Sequence, residues 1–353
     1  VKPTFEFWAD AWTIGVAYNW SGTILTKADC ASVNPGKEVY TPWASGNDGY
    51  DYRRCKACGE LFVRATAAVY EASTTLADSM ALNFILVSDF EKYYKDISVE
   101  CSDGEAVYDS AKHRASVQNI GPQDIGKNYT VTFTVTDKAD NSVKTFAATN
   151  SIKNYAVTAW NLTSNANLKT ALIDMINYGA TAEVYKGATD ESKLVNADLT
   201  DEMKATQSTM LTAEDAAAYA GAEYKNVGDQ TDKAIKWTQV SLVLGDSVSI
   251  KYYITAAELA EDDALVIELG GNSTEVAVSE LTKVGEGQYT YVFDKLNPSN
   301  MRSAVTASFK SGNSAELTYS VAGYVAAKST SKNEELKNMT LAMLTFGIAC
   351  EKL

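Results

Sequence analysis

The sequence predicts a mainly β, α+β fold: two tandem antiparallel β-sandwich modules, each ending in an apolar-striped helix, behind a small Cys-containing N-terminal domain. Three observations lead to this prediction. "LKTALIDMINYG" from Leu168 and "LKNMTLAMLTFG" from Leu336 are nearly the same helix, 168 residues apart. "ADSMALNFIL" from Ala77 and "GDSVSIKYYI" from Gly245 repeat an alternating strand at the same offset. Residues 1–62 match neither copy, and a fixed offset is typical of a duplicated module.

The predicted N-terminal domain, residues 1–62, is rich in aromatic residues. Four of the six tryptophans lie here, namely Trp8, Trp12, Trp20 and Trp43. Large aromatic side chains favour a compact core. The alternative is an exposed platform on which sugar rings stack, with Trp8, Trp12 and Trp43 as the ligand-binding residues.

The same region carries a C-x-x-C motif, "CKACGE", formed by Cys55 and Cys58, with Cys30 upstream. A C-x-x-C pair on a tight turn presents two thiolates to tetrahedral zinc. Zinc needs four ligands and only three cysteines are local. One structural zinc bound by Cys30, Cys55 and Cys58, a disulfide from Cys30 to the motif, and free thiols therefore all remain open, as does a chain without any cofactor.

The first module is predicted for residues 63–187. Met80, Leu82, Phe84 and Leu86 alternate with other residues, which is typical of a half-buried strand. "YTVTFTVT" from Tyr129 shows the same period of two. Tyr155 in "IKNYAV" lies between these strands and the helix.

The second module, predicted for residues 236–353, repeats this order. Strands of alternating pattern meet at Gly245 and Asp246, a hairpin signal. "QYTYVFD" from Gln288 is taken as the counterpart of "YTVTFTVT", and "ELGGNST" predicts a Gly-Gly turn between strands. Cys101 and Cys350 match apolar positions of the other copy, so both are expected to be buried thiols.

Each module ends in a helix with one apolar face. Leucine, alanine, methionine and aromatic residues recur at three- and four-residue steps from Leu168 and again from Leu336, the spacing of a core-facing stripe. Gly179 and Gly347 mark places where the two helices could end. We expect each helix to bury its stripe against its own sheet.

Residues 188–235 are predicted to be a helical connector. This stretch is rich in Ala, Glu and Lys, and Thr212 followed by Asp215 is a capping pattern for a helix over "AEDAAAYA".

The composition of the chain disfavours several classes of function. The formal net charge of −14 would repel a phosphate backbone, so nucleic acid is not expected as a partner. No apolar run is long enough to cross a bilayer, and the chain starts at Val1 without a signal-peptide pattern. If the protein is secreted, this sequence is expected to be its mature form. A single histidine, His113, disfavours most His-dependent catalysis. The protein is therefore expected not to be an enzyme.

Several segments resemble a known repeat. "LIDMINYGATAEVYKG" with "KLVNADLTDE", and "WTQVSLVLGDSVSIKYYI", are similar to the tandem repeat of large secreted or wall-attached surface proteins of Gram-positive gut bacteria. "TKADC" and "YRRCKACGELF" resemble the short Cys modules of such proteins, in which a histidine usually precedes the first cysteine; Tyr18 and Asn19 stand there in this chain. The resemblance implies an extracellular or cell-surface location and marks architecture, not a reaction.

Together these observations predict an extracellular structural protein that self-assembles into a surface filament, sheath or layer. Self-association by strand addition is expected, with the N-terminal "FEFWADAW" as a suitable inserted segment. The alternative is a carbohydrate-binding or adhesin module with a glycan as its ligand.

Overall fold

The computed structural model describes residues 4–7, 12–15, 40–56, 59–76, 79–220 and 225–353. The fold is mainly β, with 37% strand and 28% helix in several antiparallel sheets, which confirms the predicted α+β sandwich class. Contacts divide the chain into two compact units. Unit 1 comprises Val1–Ser73, Asn83–Val117 and Tyr129–Thr149, and unit 2 comprises Thr74–Leu82, Gln118–Asn128 and Asn150–Leu353. The module boundaries predicted from the repeats remain predictions.

The N-terminal region contains short antiparallel strands. They are β1 (Thr4–Phe7), β2 (Trp12–Gly15), β3 (Ala44–Ser45), β4 (Tyr50–Arg54) and β5 (Leu61–Ala65). β1 pairs with β2, and β4 lies between β3 and β5 in a three-stranded sheet.

The first repeat supplies two sheets. Its elements are β6 (Glu71–Leu76), β7 (Met80–Ile85), α1 (Phe90–Tyr93), β8 (Tyr94–Cys101), β9 (Ala106–Asp109), β10 (Arg114–Ile120), β11 (Tyr129–Asp137) and β12 (Val143–Asn150). The strand orders are β6-β7-β10-β9 and β12-β11-β8. Every second residue of β11 is buried, namely Tyr129, Val131, Phe133, Val135 and Asp137, which confirms the predicted alternation from Tyr129 to Val135.

Helices follow β12 directly. They are α2 (Ile152–Leu162), α3 (Ala166–Tyr185), α4 (Asp201–Lys204) and α5 (Ala213–Ala220), and a short strand, β13 (Lys225–Val227), comes next. The predicted connector is thus only partly helical. The predicted cap is present, because the Asp215 carboxylate accepts the Thr212 N–H at 2.8 Å and the Thr212 hydroxyl accepts the Asp215 N–H at 3.2 Å.

The second repeat has the same plan with more strands. Its elements are β14 (Ile235–Leu244), β15 (Val248–Ala256), β16 (Ala264–Leu269), β17 (Asn272–Ala277), β18 (Thr282–Gly285), β19 (Gln288–Phe293), β20 (Val305–Phe309), β21 (Leu317–Tyr319), α6 (Val321–Lys328) and α7 (Glu334–Cys350). The strand orders are β14-β15-β19-β18 and β13-β21-β20-β16-β17. Gly270 and Gly271, both at positive φ, form the predicted turn between β16 and β17.

One strand match made from the sequence is wrong. "YTVTFTVT" forms β11 and "QYTYVFD" forms β19, but these strands occupy different sheets of the two repeats. β19 lies beside β15 as β10 lies beside β7, whereas the counterpart of β11 is β20. Alternation identifies a strand with one buried face, but it carries no information about which sheet the strand joins.

The duplication extends to the helix caps, all within unit 2. Ser151 before α2 accepts the N–H of the third helical residue at 3.0 Å, and Ser320 before α6 does the same at 3.0 Å. Asn165 caps α3 and Asn333 caps α7 through their side-chain oxygens. Equivalent side chains therefore begin equivalent helices, which is a stronger sign of duplication than apolar spacing.

Gly179 and Gly347 lie inside their helices, which contradicts the prediction that the helices could end there. α3 continues to Tyr185 and α7 to Cys350. A Cβ atom on Gly179 would lie 2.9 Å from the Pro122 carbonyl oxygen, and one on Gly347 would lie 2.9 Å from the Pro298 carbonyl oxygen. Each glycine thus permits close packing of a helix on a 3-10 turn.

The apolar stripes of α3 and α7 are buried, and the two helices pack against each other. The predicted packing of each helix on its own sheet stays a prediction. Tyr178 of α3 and Phe346 of α7 occupy equivalent positions of the two repeats, and their rings stack with centroids 6.3 Å apart at 22°. Apolar spacing predicts that a face is buried and does not specify the partner.

Candidate functional site

The outer edge of β12 distinguishes the first repeat from the second. β12 and β21 are equivalent, since each is followed by a Ser-capped helix and each pairs with the central strand of its sheet. β21 is covered on its other side by β13, with Val227 opposite Leu317. Within the residues that the structure describes, no strand pairs with the outer edge of β12.

Burial reflects this difference. The inward-facing Leu317 and Tyr319 of β21 are only 1% and 3% exposed. The inward-facing Lys144, Phe146 and Ala148 of β12 are half-buried. Phe146 stacks on Phe133 with ring centroids 5.0 Å apart, so one side of its ring lies against the core. Among the described residues, the first repeat therefore leaves apolar surface beside a strand edge that no described strand covers.

The outward face of β12 has no charge. Val143, Thr145, Ala147 and Thr149 are exposed, and the strand contains no Pro or Gly. The other edge strands of six or more residues in the described part of the chain carry exposed charges, namely Glu71 on β6, Lys95, Asp96 and Glu100 on β8, Lys236 on β14 and Glu275 on β17. Charged residues on an edge strand hinder pairing with another chain. β12 therefore lacks the protection that these other edges have.

The single charge of β12 is directed inward. Lys144 Nζ lies 2.6 Å from Asp137 Oδ2 at the end of β11. Burial alone would raise the pKa of Asp137, but the hydrogen bonds from Lys144 and from the Ala139 N–H hold it below its ordinary value. Lys144 is thus neutralised within unit 1 and leaves the edge electrically neutral.

Trp43 is the predicted ligand-binding tryptophan whose side chain the structure describes. The guanidinium groups of Arg53 and Arg64 lie over its ring, at 4.4 and 4.3 Å from the centroid. Arg53 also lies 4.0 Å from the centroid of Tyr40, and Arg64 is bound to Asp51 at 3.2 Å. A sugar ring could stack on Trp43 only by competing with these cation–π contacts.

The other predicted site residues are mostly outside the described residues. Trp8, Cys30 and Cys58 fall there, and only the backbone of Trp12 is described, in β2. Cys55 is 2% exposed, and its N–H donates to the Glu60 carbonyl at 3.0 Å. The described residues contain no group of three or more His, Cys, Asp or Glu side chains that could bind a metal. The zinc and disulfide alternatives for the three cysteines therefore remain predictions.

His113 lies in the turn between β9 and β10, at a positive φ of 49°. Its Nδ1 is 2.6 Å from Glu91 Oε2, and the Tyr108 hydroxyl donates to the other oxygen of the same carboxylate. Burial, followed by the Glu91 hydrogen bond, raises the pKa of Tyr108. The three groups connect α1 to the β9–β10 turn. Sequence reasoning missed Glu91 because it lies 22 residues from His113.

A cavity of about 320 Å³ lies beside α3 in unit 2. Its lining residues are Asp174, Asn177, Thr181, Asn196, Gln207, Ser208, Met210, Ala342 and Thr345. Asp174 is 3% exposed; its Oδ1 accepts the Ser208 N–H at 2.9 Å, while Oδ2 is buried without a hydrogen-bond partner. Burial raises the pKa of this carboxyl group. The one sequence signal is an acidic residue inside the apolar run "LIDMINYG", where α7 has Ala342.

Cys101 and Cys350 are half-buried, not fully buried as predicted. Cys101 Sγ donates to the Asp103 carbonyl at 3.2 Å near the end of β8. Cys350 lies in the last turn of α7, where burial and then the Asp174 carboxylate raise its pKa to about 12. Both residues lie at the ends of their elements, and this end position explains the remaining exposure.

Comparison with known proteins finds no protein-family model and no curated protein that this chain matches. Among the described helices, none combines the length and the apolar character that crossing a bilayer would require.

Proposed function

We propose that this protein is a non-enzymatic extracellular structural protein, a self-assembling subunit of a surface filament, sheath or layer. The observation that supports the proposal is the outer edge of β12 in the first repeat, with which no described strand pairs, at the position where β13 covers β21 in the second. An extended segment from another molecule can hydrogen-bond to such an edge and continue the sheet.

Physical chemistry favours occupation of this edge. Edge strands present a row of backbone N–H and C=O groups that only water satisfies, and an added strand pairs them. An added strand would also cover the half-buried Phe146, as β13 covers β21 in the second repeat, where the inward-facing Leu317 and Tyr319 are 1% and 3% exposed. Apolar burial contributes about 25 cal/mol per Å² removed from water. Backbone pairing and apolar burial thus both favour the addition of a strand at β12.

The glycan-binding alternative receives less support from the described residues. Its tryptophan with a described side chain, Trp43, has two guanidinium groups over its ring. Stacking on a sugar requires a free ring face. The Arg53 and Arg64 contacts favour a structural role for this tryptophan within the β3-β4-β5 sheet.

The test is the assembly state of the whole chain. Sedimentation velocity and negative-stain imaging over a range of protein concentrations should show species larger than one chain. Ala147→Lys, on the exposed face of β12, should weaken assembly. The matched substitution Ser273→Lys, on the exposed face of β17, should have little effect, because that edge already carries Glu275. A monomer at every concentration would overturn the proposal, and antibody labelling of intact producing cells tests the surface location.

A further inference from the structure

We infer that β12 pairs antiparallel with β12 of a second copy of this chain, around a two-fold axis at Phe146. This inference rests on the proposed function and specifies its first contact. The pairing joins two three-stranded sheets, β12-β11-β8 in each copy, into one continuous sheet. The contact is the same patch on both copies, so it closes into a dimer and does not by itself extend into a polymer.

Sheet geometry restricts the register. A two-fold axis perpendicular to the sheet keeps the inward faces of both copies on the same side. Residues opposite each other in an antiparallel pair share a face, so inward residues must oppose inward residues. With the axis at Phe146, Lys144 lies opposite Ala148 of the second copy and Thr145 lies opposite its Ala147.

The composition of β12 suits this arrangement. On the outward face, Val143 meets Thr149 and Thr145 meets Ala147, so each pair is small and uncharged. On the inward face, Lys144 lies opposite Ala148 of the second copy and not opposite its Lys144. Phe146 lies opposite Phe146 of the second copy. A cross-strand aromatic pair contributes to sheet stability, and this one would extend the Phe133–Phe146 stack that already exists within each copy.

A second copy is favoured over another edge of this chain. Each of the other described edge strands of six or more residues, β6, β8, β14 and β17, carries an exposed charge. Charged side chains on an edge strand hinder pairing with another strand. Among these strands, β12 is the one that complements itself.

Two double variants test the inference and its register. Thr145→Lys with Ala147→Lys sets lysine opposite lysine twice, and we expect the dimer dissociation constant to rise at least about tenfold because opposed like charges are destabilising. Thr145→Glu with Ala147→Lys sets glutamate opposite lysine twice, and its dissociation constant should stay within about threefold of wild type. Both positions are exposed in the single chain, so both variants should keep the wild-type melting temperature at protein concentrations where the wild type is monomeric.

The possible outcomes distinguish failure of the β12 contact, failure of its register and failure of the proposed function. If the Lys/Lys variant dimerises like wild type, β12 is not the contact, although assembly through another surface would survive. If both variants lose dimerisation while wild type keeps it, the register is wrong. With the two-fold axis at position 145 or 147, the Glu/Lys variant would place glutamate opposite glutamate or lysine opposite lysine. A monomeric wild type overturns the proposed function as well. Hydrogen exchange gives an independent readout, since amides of residues 143–149 should gain protection with rising protein concentration, and constant exchange would overturn the pairing.

Discussion

At the scale of single residues, a close contact explains an unfavourable residue choice. Glycine in a helix interior costs about 1 kcal/mol relative to alanine, yet Gly179 and Gly347 lie within α3 and α7. Each faces the carbonyl oxygen of a proline that opens a 3-10 turn, and a Cβ would lie 2.9 Å from that oxygen. The loss in helix propensity is offset by the packing that follows from the close approach.

Gly179→Ala and Gly347→Ala should each destabilise the protein by up to about 2 kcal/mol. The overpacking cost of about 1–3 kcal/mol exceeds the gain in helix propensity of about 1 kcal/mol. Urea unfolding measures the change. Gly245→Ala is the matched control, because a Cβ there meets no atom within 4 Å and φ is not positive. Stabilisation by Gly179→Ala would show that the turn moves freely away from the helix.

Asp174→Asn should change how stability depends on pH. Burial raises the pKa of Asp174 in the folded state above its ordinary value of about 3.9. The stability linked to its protonation is present below that ordinary pKa and is lost as pH rises through the folded pKa. The unfolding free energy of Asp174→Asn relative to wild type should therefore increase from pH 3 upwards and then level off, as measured by urea unfolding at several pH values.

Asp198→Asn is a control for which the opposite pH dependence of the unfolding free energy is expected. Lys153 Nζ lies 2.6 Å from Asp198 Oδ1, and this hydrogen bond lowers the pKa of Asp198. Its stability contribution is present above the ordinary pKa and is lost as pH falls through the folded pKa. The unfolding free energy of Asp198→Asn relative to wild type should accordingly decrease as pH rises. The same pH trend in both variants would contradict the assignment of Asp174 as a buried carboxyl group with a raised pKa.

At the scale of elements, the sequence predicted which faces are buried but not what they pack against. The alternation of Tyr129, Val131 and Phe133 and the stripe from Leu168 were confirmed, because periodicity records exposure directly. The pairing of α3 with α7 could not be predicted, since contact between Tyr178 and Phe346 depends on complementary shape across 168 residues. The open edge of β12 emerged only when the strand orders of the two repeats were compared.

The Tyr178–Phe346 stack makes a prediction about this helix pair. Phe346→Ala and Tyr178→Ala should each lower the unfolding free energy by about 3–5 kcal/mol. The double variant should lose less than the sum, with a coupling of about 0.5–1.5 kcal/mol from the ring contact. Leu162→Ala, at a side chain 82% exposed on α2, is the control and should be nearly neutral. Strict additivity would contradict a direct interaction between the rings.

At the scale of the whole molecule, the equivalent helices α3 and α7 form a pseudo-symmetric pair inside unit 2. Residues at equivalent repeat positions meet each other, as two identical chains would across a two-fold axis. A fragment comprising residues 208–353 keeps β13 and the second repeat but lacks α3. It should expose the apolar face of α7 and dimerise with Phe346 stacked on Phe346 of the other fragment.

Sedimentation equilibrium of this fragment tests that prediction. The same fragment carrying Phe346→Ala should be monomeric, because the ring at the centre of the contact is removed. A monomeric parent fragment that remains as stable as the intact chain would show that α7 needs no helix partner.

The covalent link between α3 and α7 has a consequence for concentration. A tether converts an encounter between two partners into an intramolecular event with an effective concentration near the millimolar range. Diluting the protein therefore leaves the helix pair formed at any concentration a cell or a cuvette contains. The contact at β12 joins separate molecules and has no tether, so mass action alone sets how much of it exists. Dilution should therefore dissociate the contact at β12 and leave the α3–α7 helix pair intact.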